Sequence, residues 1–118
     1  MRILDVITAC DKLKPNEYSQ SRKRIWANKI ESDIRIYASM YSHKKPDMSF
    51  SDEENPVLLL DDTMADIYIY YLISMIDLSN QEYNLYNISA AYFNSVFHEW
   101  KKRYRRENMP LCNTALKY

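Results

Sequence analysis

The side chains able to do chemistry are few and scattered along the 118 residues. Two histidines occur, His43 and His98. Four residues to either side of His98 stand Asn94 and Lys102, so one helix face cannot offer the pair of ligands that a zinc ion needs. His43 sits in a polar run, His43-Lys44-Lys45-Pro46. Cys10 and Cys112 are the only cysteines, too few for a cysteine zinc site or a disulfide framework. They read as reduced thiols. Asp61, Asp62 and Asp66 bring three carboxylates to the start of an expected helix. The positive end of a helix dipole favours each of them there by roughly 0.3–1 kcal/mol. Acid–base catalysis would need a cleft that splits their pKa values, and no such signal is present.

The chain contains no glycine. Phosphate-cradling loops and dinucleotide fingerprints require glycine for tight turns and close backbone approach. The nucleophile elbow that exposes a catalytic serine does too. These classes are excluded, and the expectation is a non-enzymatic protein without cofactor or metal.

The sharpest local signal is cationic. Lys101-Lys102-Arg103-Tyr104-Arg105-Arg106 holds five cations in six residues. Such a run can contact phosphates and release counterions, as in a small DNA-binding or regulatory protein. It can equally complement the negative end of a helix while its long stems cover apolar surface. Between Pro46 and Trp100 there is no Lys or Arg, and ten acids occur, among them Asp52, Glu53, Glu54, Asp61 and Asp62. Basic residues (Arg22, Lys23, Arg24, Lys29, Arg35, Lys44, Lys45) precede this block and the 101–106 run follows it. Lys+Arg and Asp+Glu both number 16, for a net charge of zero. The opposite blocks either pair within one molecule or join an acidic face of one copy to a basic face of the next.

The elements that must position these charges are helical. Ile3, Val6, Ile7 and Cys10 recur at helical spacing over 2–12, and Pro15 stops that segment. Arg2 alone, with Asp5 inside the apolar run, does not make a signal peptide. Ser19 is the expected N-cap of a helix over 19–42. Its apolar stripe is Trp26, Ile30, Ile34, Tyr37 and Tyr41, with Arg22, Lys23, Arg24 and Lys29 on the wet side. Residues 43–62 are loop-like, and Phe50 and Val57–Leu60 are apolar enough for short edge strands or docking segments. A connection of this length is usually functional or mobile. The run from Ile67 to Ile76 is apolar nearly all round, which predicts a central buried helix over 63–80. The break falls at Asn80-Gln81, with Asn80 suited to a left-handed turn. In 82–107, Tyr83, Tyr86, Ala90, Phe93, Phe97, Trp100 and Tyr104 step by three and four, the cleanest helical pattern in the chain. Pro110 is expected to stop it, leaving 108–118 as a tail. No apolar run reaches the roughly 18 residues of a membrane span.

The expected architecture is a single all-α domain over 1–118. It is a small bundle of about four helices with a long loop between the second and third, roomy enough for a short β-hairpin, and an extended C-terminal tail.

The chain resembles the head–tail connector (adaptor, or head-completion) proteins of long-tailed bacteriophages and prophages of Gram-positive hosts. The residues that carry the likeness are Asp66-Ile67-Tyr68-Ile69-Tyr70-Tyr71-Leu72, Met75-Ile76-Asp77, Glu82-Tyr83-Asn84-Leu85-Tyr86-Asn87 and Tyr92-Phe93-Asn94. Lys14-Pro15-Asn16, Tyr18-Ser19 and Met109-Pro110 add to it. A glycine expected in the Asn80-Gln81 turn is absent. The resemblance implies a structural virion protein, made in the bacterial cytoplasm, that forms a ring beneath the portal. Such rings are commonly dodecameric, and their subunits are often monomeric until the portal templates them. The implied partners are its own copies, the portal protein, the next head-completion or tail protein, and DNA passing through the channel without sequence readout. It also implies neighbour contacts through the long loop and the tail. The apolar residues there, Phe50, Val57, Leu58, Pro110, Leu111, Leu116 and Tyr118, are the expected assembly contacts. Lys101, Lys102, Arg103, Arg105, Arg106, Asp52, Glu53, Glu54, Asp61 and Asp62 are the expected electrostatic contacts.

Overall fold

The computed structural model describes residues 1–41 and 47–116, the last eight of them as backbone. Four α-helices make up the bundle: α1 (Ile3–Leu13), α2 (Gln20–Tyr41), α3 (Ala65–Ser79) and α4 (Tyr83–Leu116). Two short 3-10 turns, Met48–Asp52 and Asp62–Met64, lie between α2 and α3. Among the described residues there is no strand. A single antiparallel bridge joins Arg2 to Val57.

Each helix follows from its residues. Ser19 caps α2 as expected, its Oγ accepting the Arg22 N–H at 3.1 Å. The α2 stripe buries Trp26, Ile30 and Ile34, with Ala27 and Ala38 filling the steps between. Asp5 accepts the Arg2 N–H at 3.0 Å at the start of α1, and Ile3, Val6, Ile7 and Cys10 face inward. Helix α3 is the centre of the molecule, packed against α1, α2 and α4. Its Ile67, Tyr68, Leu72 and Ile76 are buried, each contributing about 1.5–3 kcal/mol of apolar transfer. Helix α4 lays Phe93, Phe97, Trp100 and Tyr104 along the bundle as an aromatic ladder. Tyr37 of α2 sits 5.6 Å from the Trp100 ring, and Tyr71 of α3 sits 5.2 Å from Phe93. Such tilted and edge-on pairs add to area burial.

Four expectations need correction. Lys23 is buried, because Asp11 pairs with its ammonium at 2.8 Å and covers it. Tyr83 stands exposed at the start of α4, one turn before the packed stripe begins. Helix α4 runs on through Pro110 to Leu116, so the backbone shows no separate tail at 108. A proline inside a helix removes one hydrogen bond and crowds the carbonyl four residues back, which weakens a helix without always ending it. The α3–α4 turn places its left-handed residue at Gln81 (φ 61°) while Asn80 stays right-handed. Gln81 N–H donates to the Leu78 carbonyl at 3.0 Å, and Glu82 N–H to the Asp77 carbonyl at 2.9 Å. This is the Schellman end of a helix, whose left-handed position usually holds glycine.

A side chain bearing a Cβ in that conformation costs roughly 1–2 kcal/mol. Gln81→Gly is therefore expected to stabilise the fold by about 0.5–1 kcal/mol after glycine's own entropy loss, measured as a raised midpoint in urea at unchanged slope.

Candidate functional site

Residues 47–62, between α2 and α3, form a strap bonded across the bundle, and a buried carboxylate holds it. Glu31 of α2 is completely buried. Its Oε2 accepts the Arg35 Nε–H at 2.6 Å and the Leu59 N–H at 2.8 Å. Its Oε1 accepts the Tyr68 hydroxyl at 2.6 Å. Tyr68 Oη in turn accepts the Leu60 N–H at 3.3 Å. Arg35 reaches the strap from the other side, donating to the carbonyls of Asp47 at 2.5 Å and Val57 at 3.0 Å. Its guanidinium lies over the Phe50 ring, 4.5 Å from the centroid. Burial, followed by the Glu31 charge, raises the Tyr68 phenol pKa far above its ordinary value, so the phenol stays a donor to the carboxylate.

The strap also anchors the N-terminus. Asn55 Oδ1 accepts the Leu4 N–H at 3.0 Å and so satisfies a free amide of α1. Pro56 and Met1 carbonyls accept from Ile3 and Leu58 at 3.2 and 2.9 Å. A second polar junction ties the opposite end of the bundle. Lys14 Nζ meets Asp77 Oδ1 at 2.8 Å and Glu82 Oε1 at 3.5 Å. Ser89 Oγ donates to Asp77 Oδ2 at 2.8 Å, and Tyr18 Oη to Asn80 Oδ1 at 2.5 Å. The hydrogen bond to Asp77 raises the Lys14 pKa. The Lys14–Asn16 and Tyr18 segment thus docks onto the α3–α4 turn.

The expected contact residues separate accordingly. Phe50 and Leu58 are not free anchors: both are buried beneath the strap, Phe50 under Arg35 and Leu58 in the main core. Val57 is exposed. Pro110, Leu111 and Leu116 lie on the described backbone of α4, their side chains outside the described residues, as is the whole of Tyr118; His43 also lies outside them. Asp52, Glu53, Glu54, Asp61 and Asp62 are exposed. Asp62 lies 3.7 Å from the N-terminal ammonium. Hydrogen bonds from Thr63 hold the Asp61 carboxyl below the usual range, with a smaller pull from Arg103.

The basic run is divided by its helix. Lys101 Nζ sits over the Phe97 ring at 4.3 Å and the Tyr37 ring at 5.5 Å. Lys102 pairs with Glu99 at 3.2 Å. Arg103 lies against Met64 Sδ. It borders a groove of about 280 Å³ between the start of α3 and α4, with Trp100 at its base and Arg106 at its rim. Among the described residues neither Arg105 nor Arg106 has a carboxylate within ion-pair distance, and none of Asp52, Glu53 and Glu54 has a cation within it.

Among the described residues no three His, Cys, Asp or Glu side chains converge as metal ligands. Cys10 is buried, and burial, with Asp11 next to it, pushes its thiol pKa up to about 12, far from the range of a reactive thiolate. No described helix is long and apolar enough to cross a membrane. Comparison of the chain with protein-family models, curated proteins and solved structures finds no match.

Removing one partner of a buried ion pair strands the other charge, at about 3–5 kcal/mol. Glu31→Ala is expected to cost that much in urea melts, and Glu31→Ala with Arg35→Met less than the single change. A loss below about 1 kcal/mol for the single change would contradict the latch.

Proposed function

We propose that this chain is a structural subunit of a phage or prophage particle, assembling as a ring between portal and tail and joining head to tail without turnover. One observation carries the reading. The acids at the tip of the strap, Asp52, Glu53 and Glu54, and the cations Arg105 and Arg106 on α4 are exposed, and among the described residues none has an opposite charge within ion-pair distance in the subunit, Arg105 meeting only the Tyr37 hydroxyl. Opposite charges left open on separate elements of one chain can meet between copies, and a head-to-tail contact closes into a ring when its rotation permits. Such a contact sets register and partner choice more than affinity.

Further support comes from the residues of the resemblance. Lys14, Tyr18, Asp77 and Glu82 make the junction that stiffens the bundle, and a stiff bundle suits a part whose work is to hold position. The alternative, a DNA-binding or regulatory protein using 101–106, is less well supported. Lys101 and Lys102 are engaged within the subunit, which leaves a short basic surface for phosphate.

Electron microscopy of particles made without this gene tests the proposal. Filled or leaking heads beside free tails are expected, whereas normal infectious particles would remove it. Charge exchange sharpens the test. The triple change Asp52→Lys, Glu53→Lys, Glu54→Lys is expected to lower joined particles about tenfold or more. Adding Arg103→Glu, Arg105→Glu and Arg106→Glu is expected to recover part of that loss.

A further inference from the structure

The first half of α4 carries a long surface without charge. The fifteen residues from Tyr83 to Phe97 include no Lys, Arg, His, Asp or Glu. At about 1.5 Å per residue they cover roughly 22 Å of helix. Their inner face packs on the bundle through Phe93 and Ser89. Their outer face should then be the wet side of an amphipathic helix, with charges. Instead Leu85, Ile88 and Tyr92 follow one another at steps of three and four and stand 43%, 68% and 45% exposed. Residues so spaced share one face. Tyr70 of α3 flanks the stripe, its ring 4.3 Å from that of Tyr92. An apolar row framed by uncharged residues has the composition of an interface centre, from which charged side chains are depleted.

We propose that this stripe is a two-fold contact between two copies of the chain, α4 against α4 in antiparallel orientation. Two observations select a second copy as the occupant. The face has no charge, so laying it against itself brings no like charges together and strands none. The stripe is also nearly symmetric about Ile88, with Leu85 three residues before it and Tyr92 four after. In an antiparallel pair Ile88 meets Ile88 at the axis, and each Leu85 meets Tyr92 of the second copy. Helices packed this way lie about 8–10 Å apart, close enough for these side chains to touch. One helix face per copy buries less than the ~1,200 Å² of a standard interface, so the dimer is weak and concentration-dependent.

This contact does not rest on the head-to-tail charge reading. A two-fold contact closes on a pair, whereas the charges of the strap and the end of α4 describe contacts that propagate. Failure of the joining role in particles would leave the dimer untouched, and the reverse also holds.

A single cysteine at the axis tests it. The full chain with Ile88→Cys and Cys112→Ser keeps only the buried Cys10 besides the new thiol. Mild oxidation at high protein concentration is expected to give a disulfide-linked dimer as the main product. The Cys112→Ser protein alone is expected to give none. In sedimentation, Ile88→Lys is expected to weaken self-association at least about tenfold, while Asn94→Lys, on another face of the same helix, leaves it unchanged. Circular dichroism of each variant separates a lost contact from a lost fold, and exposed Ile88 is a site where the fold tolerates lysine. A protein that stays monomeric at every concentration overturns the proposal. So does a dimer that persists in Ile88→Lys, or an Ile88→Cys thiol that remains reduced while the protein self-associates.

Discussion

The structure depends on one carboxylate kept away from water. Glu31 lies at the meeting of α2, α3 and the strap. An ionised carboxylate at such a place is costly unless its lone pairs are filled and its charge is balanced. Here Arg35 balances the charge, Tyr68 supplies a hydroxyl, and the Leu59 amide supplies the third donor. Each donor comes from a different piece of the chain. Meeting the demand of one side chain therefore fixes the strap, α3 and α2 relative to one another. An apolar residue at 31 would pack against Tyr68 without dictating where the strap runs. The polar solution gives up transfer energy and specifies a path, which is the best-attested use of buried polar groups.

The helices themselves were legible. Capping by Ser19, the spacing from Trp26 to Ile34, the apolar run from Ile67 to Ile76 and the aromatic steps from Phe93 to Tyr104 all appear in the structure where periodicity puts them. The strap was not. Residues 47–62 have no period because they follow another segment's surface, and their order comes from partners far away in sequence. Phe50 and Leu58 looked like free anchors for that reason, since a loop's apolar residues carry no mark of which molecule they will touch. One signal was available. Glu31 and Arg35 are four apart on α2, the spacing of a helix ion pair, and they lie one step around from the Ile30–Ile34 stripe. A charged pair so near an apolar stripe needs a cover, and the connection that follows α2 was the nearest uncommitted length of chain. The turn at Asn80-Gln81 was legible but its left-handed residue was not, because that position normally announces itself as glycine and here is Gln81.

The surfaces follow from this internal order. With the strap held down, its acidic tip is presented at a defined place, and the cations of α4 beyond Trp100 sit on a helix braced by Tyr37, Phe97 and Trp100. Lys14 and Asp77 brace the far end, where α3 turns into α4. Charges on rigid elements can set register between subunits, since little conformational freedom is lost when they meet. The apolar stripe of α4 lies on the same stiff helix nearer its start, separated from the basic end by Ser95 and the groove at Trp100. The proposed joining role draws on the charged surfaces, and the proposed pairing of copies draws on the neutral one.

The most direct measurement of the latch is native-state hydrogen exchange resolved to single amides. The Leu59 N–H donates to Glu31 and the Leu58 N–H to the Met1 carbonyl. If the carboxylate holds the strap, both amides exchange slowly, at rates approaching those of the buried turns of α3, and both speed up together in Glu31→Gln. Exchange of Leu58 and Leu59 at the rate of an unstructured peptide, while α3 remains protected, would contradict the account.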